Sequence, residues 1–430
     1  MDKKDIYTRV LHEELIPAMG CTEPIAIAYA AAKAKSYLPE DVERYEVDCS
    51  GNIIKNVKGV KVPNSNGQKG IPAAAALGIC GGDPSKVLEV IAGVTDAQRE
   101  ACRELVARDV CNVGLVEGVP GLYIDVKLWG KVHSSEVILS GNHTNICKII
   151  QDGNILYDQS QEIEKGYSQS AERNQMSLKG ILEYAAEVDL KKVEDVLEAQ
   201  IRDNTAISRE GLTHPWGTQV GKIISENIGD SVMTRAEAAA AAGSDARMSG
   251  CPKPVVINAG SGNQGITVTM PILVYAEEWG LSHDETLRAL IVGDLISVYI
   301  KHFIGPLSAF CGSVNAACGA GAAITWIAGR DYQHVADTIT NTLCNVGGIV
   351  CDGAKPSCAA KIAAAVHGAL VGHYMSMRGQ VFKAGEGLVG KDIETTIRNI
   401  GYLGREGMKQ TDIEILNTML GNADTSADLL

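Results

Sequence analysis

The chain reads as an α+β protein, with an N-terminal mixed α/β domain followed by a larger all-helical domain. Three observations predict this. Between Tyr45 and Tyr157, runs alternating apolar and polar residues recur with short turn signals between them. Beyond about residue 180 the apolar positions follow helical spacing to the end. Between these regions lies a polar stretch, 158–175, that reads as a connector. The expected division is 1–165 for the first domain and 175–430 for the second.

Taken in order, residues 5–18 have helical spacing and stop before Gly20, and the Ala-rich residues 25–37 predict a second helix. Tyr45, Val47 and Cys49 alternate with Glu46 and Asp48, the pattern of a half-buried strand. Residues 53–62 read as extended, entering a polar loop at 63–70. Helices are expected over 71–80 and 84–93, with a third starting where Thr95 and Gln98 form a capping box. Ile124, Val126 and Leu128 alternate with Asp125 and Lys127, and 137–139 and 146–150 are apolar runs. Asp152-Gly153 between two such runs is a hairpin turn. Short turns between strands imply an antiparallel or mixed sheet. In the second half, Ser177, Thr234 and Ser282 stand at helix starts, the last two with Glu237 and Glu285 three residues on. No strand is expected there.

Composition narrows the function. With 430 residues, 45% of them hydrophobic, the chain can bury a large core without staples. A net charge of -13 argues against nucleic acid or anionic lipid as the main partner. Residues 307–329 carry no charge and are long enough to cross a bilayer. They are rich in Gly, Ala, Ser and Asn, however, and no second run matches them, so a helix buried inside the protein is expected. The charged, amphipathic N-terminus lacks the features of a secretory leader, and a cytoplasmic location is expected. In that compartment the 12 cysteines are reduced, metal-bound or catalytic sooner than disulfide-paired. No Cys-x-x-Cys is present, so zinc-ribbon and thioredoxin signals are absent.

Four segments carry chemistry. Cys351 and Cys358 flank a stretch broken by Gly353 and Pro356, and such a loop can turn both sulfurs to one point. Two buried, inert cysteines would give the same sequence. A third ligand is best sought at Cys311, which follows Gly305-Pro306 and opens a new helix, where the helix dipole favours a thiolate. Residues 257–266 interleave Asn258, Ser261, Asn263 and Gln264 with glycines, offering N–H groups and amides to a small anion. Just upstream, Arg247 can fork a carboxylate, with Asp245 to orient it. Cys21 sits at a Gly-marked helix start with Pro24 in the first turn, a setting that lowers a thiol pKa and suits a nucleophile or acid/base. A bystander in a capping turn is the competing reading. The polar loop 141–146 contributes His143.

Together these segments resemble the iron–sulfur L-cysteine desulfidases, relatives of the bacterial iron–sulfur L-serine dehydratases. The matching pieces, in family order, are GCTEP at 20–24, GNHTNI at 141–146, SDAR at 244–247, AGSGNQGI at 259–266, LSAFC at 307–311 and VCDGAKPSC at 350–358. The resemblance implies that Cys311, Cys351 and Cys358 hold a [4Fe-4S] cluster. It also implies that Cys21 works in acid/base chemistry. The expected substrate-binding set is Asn64, His143, Thr144, Asn145, Arg247, Ser261, Asn263 and Gln264. The dehydratases have a longer interval between the last two ligands and a further cysteine near the C-terminus. This sequence has none after Cys358, which favours the desulfidase branch. The implied reaction is β-elimination of L-cysteine to hydrogen sulfide, ammonia and pyruvate without pyridoxal phosphate, the site-differentiated cluster acting as Lewis acid. An L-serine dehydratase and a non-enzymatic iron–sulfur redox sensor are the alternatives. The expected partner is a small amino acid, with no nucleic acid or membrane; a homodimer is the assembly considered.

Overall fold

The computed structural model describes residues 3–160, 173–305 and 307–423. Most of the expected connector therefore lies outside the described residues. The elements, in order, are α1 (Lys3–Glu14), β1 (Pro17–Met19), α2 (Thr22–Lys35), β2 (Arg44–Cys49), α3 (Gly51–Val57), α4 (Gly70–Gly81), α5 (Asp96–Ala107) and β3 (Cys111–Leu115). Next come β4 (Tyr123–Trp129), β5 (Ser134–Ser140), β6 (Ile146–Gln151) and β7 (Asn154–Asp158). The helical half comprises α6 (Leu178–Glu187), α7 (Glu194–Thr213), α8 (Val220–Asn227), α9 (Val232–Met248), the short β8 (Pro254–Val256), α10 (Gly262–Trp279) and α11 (His283–Ile304). It continues through α12 (Gly312–Ile327), α13 (Tyr332–Val346), α14 (Cys358–Met377), α15 (Ile393–Tyr402) and α16 (Lys409–Leu420).

The α+β reading holds. Six strands form one mixed sheet in the order β3-β2-β4-β5-β6-β7, antiparallel throughout except that β2 and β3 run parallel. Alternation sends Tyr45, Val47, Ile124, Val126, Leu128, Val137 and Leu139 into the core. On the opposite face Lys127 bridges Glu46, Asp48 and Asp125. α2 is buried almost all round, as an Ala-rich helix with no polar stripe must be. It can lie tight against α4 because Gly78 meets the backbone of Ala28, where a Cβ would collide.

In the helical half, α12 is the central element and is buried from Ser313 to Thr325. This is the uncharged run of the sequence, packed inside protein. Gly319 lies against the backbone of Gly293 on α11, so small residues serve helix contact here. Among the described residues no helix is long and apolar enough to cross a membrane.

Several local expectations are corrected. Residues 51–57 are helical, because Ile53, Ile54 and Val57 are spaced to bury one helical face. Residues 84–89 form a 3₁₀ turn capped by Asp83. α9 begins a turn before Thr234, and Ser231 is the cap. β8, which the sequence did not announce, pairs antiparallel with β1. Thr95 and Ser282 do form capping boxes, and Ser177 caps α6. The chain ends also cross over. α1 packs its Tyr7, Val10 and Leu11 into the core of the helical half, whereas α16 packs on α3, with Lys55 paired to Asp412.

Candidate active site

Three cysteines meet where two loops of the helical half cross. Phe310 and Val350 form a short antiparallel bridge. Beside it, the Cys311 N–H donates to Ile349 O (3.0 Å) and the Cys351 N–H to Ala309 O (2.6 Å). Cys311 is the N-cap of α12, and Cys358 is the first residue of α14. The loop between Cys351 and Cys358 turns at Gly353, whose φ is +92° and which abuts the Lys55 carbonyl with no room for a side chain. α3 of the N-terminal half thus backs the loop.

The thiols are half-buried beside two lysines, Lys55 and Lys301. Cys351 is drawn down to about 6, first by its hydrogen bond with Cys311, against burial, and then by Lys55, the Gly353 N–H and Lys301. Cys311 is pushed up by the same shared proton and by burial, and Cys358 chiefly by burial. The helix start alone does not make Cys311 the thiolate; Cys351, nearer the lysines, carries the charge. Three thiols form a soft donor set suited to iron–sulfur chemistry. A single tetrahedral ion at about 2.3 Å from each sulfur would hold the sulfurs within about 4 Å of one another. Among the described residues, the one trio of His, Cys, Asp or Glu with ligand atoms all within 4.8 Å is Glu194, Glu198 and His283. The cysteine trio is wider than that, which fits a cluster whose irons occupy separate corners.

Cys21 approaches from the N-terminal half. Gly20 has φ +72° and is packed under Pro63, and Cys21 then caps α2 with extended geometry. Its thiol donates to Glu23 Oε2 at 3.1 Å. The expected low pKa is overturned. Burial first, then the Glu23 charge, push this thiol well above its ordinary value, and Arg247 pulls only weakly the other way. Desolvation outweighs the helix dipole.

Glu23 is itself buried. Burial favours its neutral form, yet His143, the Cys21 hydrogen bond, its own N–H and Arg247 hold it below the usual carboxylate value. Burial pulls His143 down toward the neutral ring, so the hydrogen bonds are the steadier cause. Cys21, Thr22 Oγ1 (3.1 Å) and Asn56 Nδ2 (2.9 Å) all donate to the carboxylate.

The Gly-rich loop closes the group. Ala259 and Gly260 both have positive φ, and Ser261 then caps α10 without using its side chain. α10 therefore presents free N–H groups at Gly262, Asn263 and Gln264. Thr22 Oγ1 shares its one proton between Glu23 Oε2 and Gly260 O, 3.1 Å from each, and the His143 ring stands over Gly260. Arg247, 2% exposed, donates from Nη2 to Gly20 O (2.6 Å), abuts Gly262 and forms no ion pair among the described residues. Gln264 packs on Gly312, next to Cys311. Four buried polar atoms in this region have no partner: Asn56 Oδ1, His143 Nε2, Arg247 Nε and Asn263 Oδ1.

Not every expected residue faces this centre. Asn64 donates to Ile91 O (2.8 Å) and accepts from Arg99, so its amide is spent holding the 63–70 loop. The Thr144 hydroxyl and N–H bond Asn142, and Asn145 donates to Ser140 O, so both shape the β5–β6 turn that aims His143. Asp245 does not orient Arg247; it accepts from the Gly221 N–H at the start of α8.

Glu23, Asn56, Lys55 and Lys301 were missed. Glu23 alone had a signal, its place two residues after Cys21 in a helix's first turn. Also missed was a buried support behind the loop. Ser297 donates to Asn258 Oδ1 (2.7 Å), and Asn258 and Gln200 donate to Asp294 Oδ1 (3.0 and 2.9 Å). Burial pushes Asp294 up to about 7 despite these bonds.

Comparison with known proteins agrees with the resemblance to the serine dehydratases. The family model described as serine dehydratase alpha chain matches residues 73–417. Relatives named UPF0597 protein include one from Finegoldia magna, 48% identical over 96% of this chain and 99% of that one. Another, from Desulfitobacterium hafniense, is 45% identical over 97% of both chains. A third, from Lachnoclostridium phytofermentans, is 46% identical over 96% of this chain and 98% of its own. On this match, which covers most of its length, the chain belongs to the serine dehydratase alpha chain family.

Proposed function

We propose that this protein is an L-cysteine desulfidase acting in the cytoplasm, a carbon–sulfur lyase that converts L-cysteine to hydrogen sulfide, ammonia and pyruvate without pyridoxal phosphate. The observation that carries the reading is that Cys21, from one half of the chain, lies within electrostatic reach of Cys358, which the other half gathers with Cys311 and Cys351. These three thiols would hold a [4Fe-4S] cluster. With one iron free of protein thiolate, the cluster supplies a Lewis acid for the leaving group. The chain's own residues do the rest. The α10 N-terminus, Ser261, Asn263 and Arg247 bind the substrate carboxylate, an anion the helix dipole and guanidinium both favour. His143 covers that site with a neutral ring. Cys21 Sγ is the acid/base group at the α-carbon, and its proton lies toward Glu23 in the free protein. Burial of the group excludes water, which strengthens each of these interactions.

The family match favours a second reading, the same elimination from L-serine. Protein purified anaerobically with its iron, then given each amino acid, separates the two. Sulfide and pyruvate from L-cysteine support the desulfidase. Pyruvate from L-serine with no sulfide from L-cysteine supports the dehydratase, and no turnover with iron retained removes both.

A further inference from the structure

The site holds two buried charges of opposite sign that are not paired with each other. Arg247 and Glu23 feel one another electrostatically, yet they form no ion pair. Buried charges are costly unless paired. Arg247 has Nε unsatisfied, and beside Glu23 the acceptor Asn56 Oδ1 is unsatisfied too. The unsatisfied donor Arg247 Nε and the free N–H groups of α10 thus lie at one end, with the acceptor Asn263 Oδ1 among them, and the unsatisfied acceptor Asn56 Oδ1 lies beside the Glu23 charge at the other. A ligand that completes both ends is anionic at one end and cationic at the other.

We propose that Glu23, with Asn56 Oδ1, binds the α-ammonium group of the substrate. This deepens the reading above and rests on the site being one for an amino acid. A carboxylate has about four acceptor directions. Asn56 and Cys21 donate to it, its own N–H reaches it, and Thr22 shares one proton between it and Gly260 O. An ammonium brings three donors and can take Asn56 Oδ1 together with the direction on Glu23 that Thr22 leaves when its proton turns to Gly260 O. The arrangement also places the acid/base group correctly. Cys21 Sγ is 3.1 Å from Glu23 Oε2, and the α-carbon is one bond from the nitrogen that Glu23 would hold. An ammonium on Glu23 therefore sets the α-carbon beside the sulfur.

The probe is L-alanine, which has both charged ends and no leaving group, compared with propionate, which lacks the ammonium. Binding is measured by calorimetry on anaerobically purified protein. Wild type should bind L-alanine at least about 10-fold more tightly than propionate, as expected when a charge-assisted bond is made. Glu23→Gln should lose roughly 10–100-fold in L-alanine affinity with propionate affinity no weaker, whereas Glu23→Asp should keep the preference. Equal affinity of the wild type for the two ligands would overturn the proposal even if Glu23→Gln failed to fold. So would a Glu23→Gln protein with full iron and the wild-type preference. Neither result depends on turnover, so a protein that discriminates the ligands but releases no product would remove the lyase reading and leave this one.

Discussion

Cys311 and Cys351 are fixed beside each other by backbone alone, each N–H donating across the Phe310–Val350 bridge to the other's strand. Their spacing is thus set before any metal binds. Single replacement of Cys311, Cys351 or Cys358 by alanine should leave the fold intact, as judged by circular dichroism. It should also remove iron and the broad visible absorption of an iron–sulfur centre. Full iron content in any one variant removes that residue from the ligand set.

Cys21 differs in kind. Cys21→Ser should keep its iron and still bind substrate while turnover falls roughly 10²–10⁴-fold, the span of general acid/base groups. Iron analysis beside steady-state kinetics decides this. Loss of iron would make Cys21 a ligand, and normal turnover would make it a bystander.

Asn263 stands in the first turn of α10, where its backbone N–H and side-chain amide nitrogen can donate to a carboxylate. Replacement by alanine should lower kcat/KM by about 10–100-fold, the cost of one charge-assisted bond of roughly 1.5–3 kcal/mol. An unchanged value would place the carboxylate elsewhere.

The Asp294 carboxyl should tie stability to pH. Its folded pKa, about 7, lies above the ordinary 3.8. The folded state therefore binds this proton more tightly than the unfolded state does. Its contribution is complete below the unfolded value and is lost as pH rises through about 7. Asp294→Asn still accepts from Gln200 and Asn258 and cannot ionise. Melting temperatures compared between about pH 5 and about pH 8 should fall more for wild type than for the variant. Parallel curves would show that Asp294 does not titrate in this window.

What was legible in the sequence followed period and punctuation. The strands around Val47, Val126 and Val137 and the capping boxes at Thr95 and Ser282 depend on neighbours a few residues away. Residues 53–57, expected as part of an extended run over 53–62, are helical, and a seven-residue helix leaves too few turns for its period to stand out from a strand's. The site divides similarly. The loop broken at Gly353 and the helix start at Cys311 are local features, and both stand where the sequence placed them. The state of the Cys21 thiol was not legible, because it depends on burial and on Glu23, Arg247 and Cys358 reaching it through the fold. The Asn64 amide bonds Ile91 O and Arg99, neighbours that only the fold brings to it.

The crossed chain ends have a practical corollary. Glu14, at the last turn of α1, accepts the Ala259 N–H, and Ile16 accepts the Ile257 N–H, so the start of the chain pins the Gly-rich loop. At the other end, α16 rests on α3, whose Lys55 and Asn56 back the cysteine loop and Glu23. Trimming either end is therefore surgery on the candidate site, and fragments cut at the connector would each leave with a piece of the other's wall.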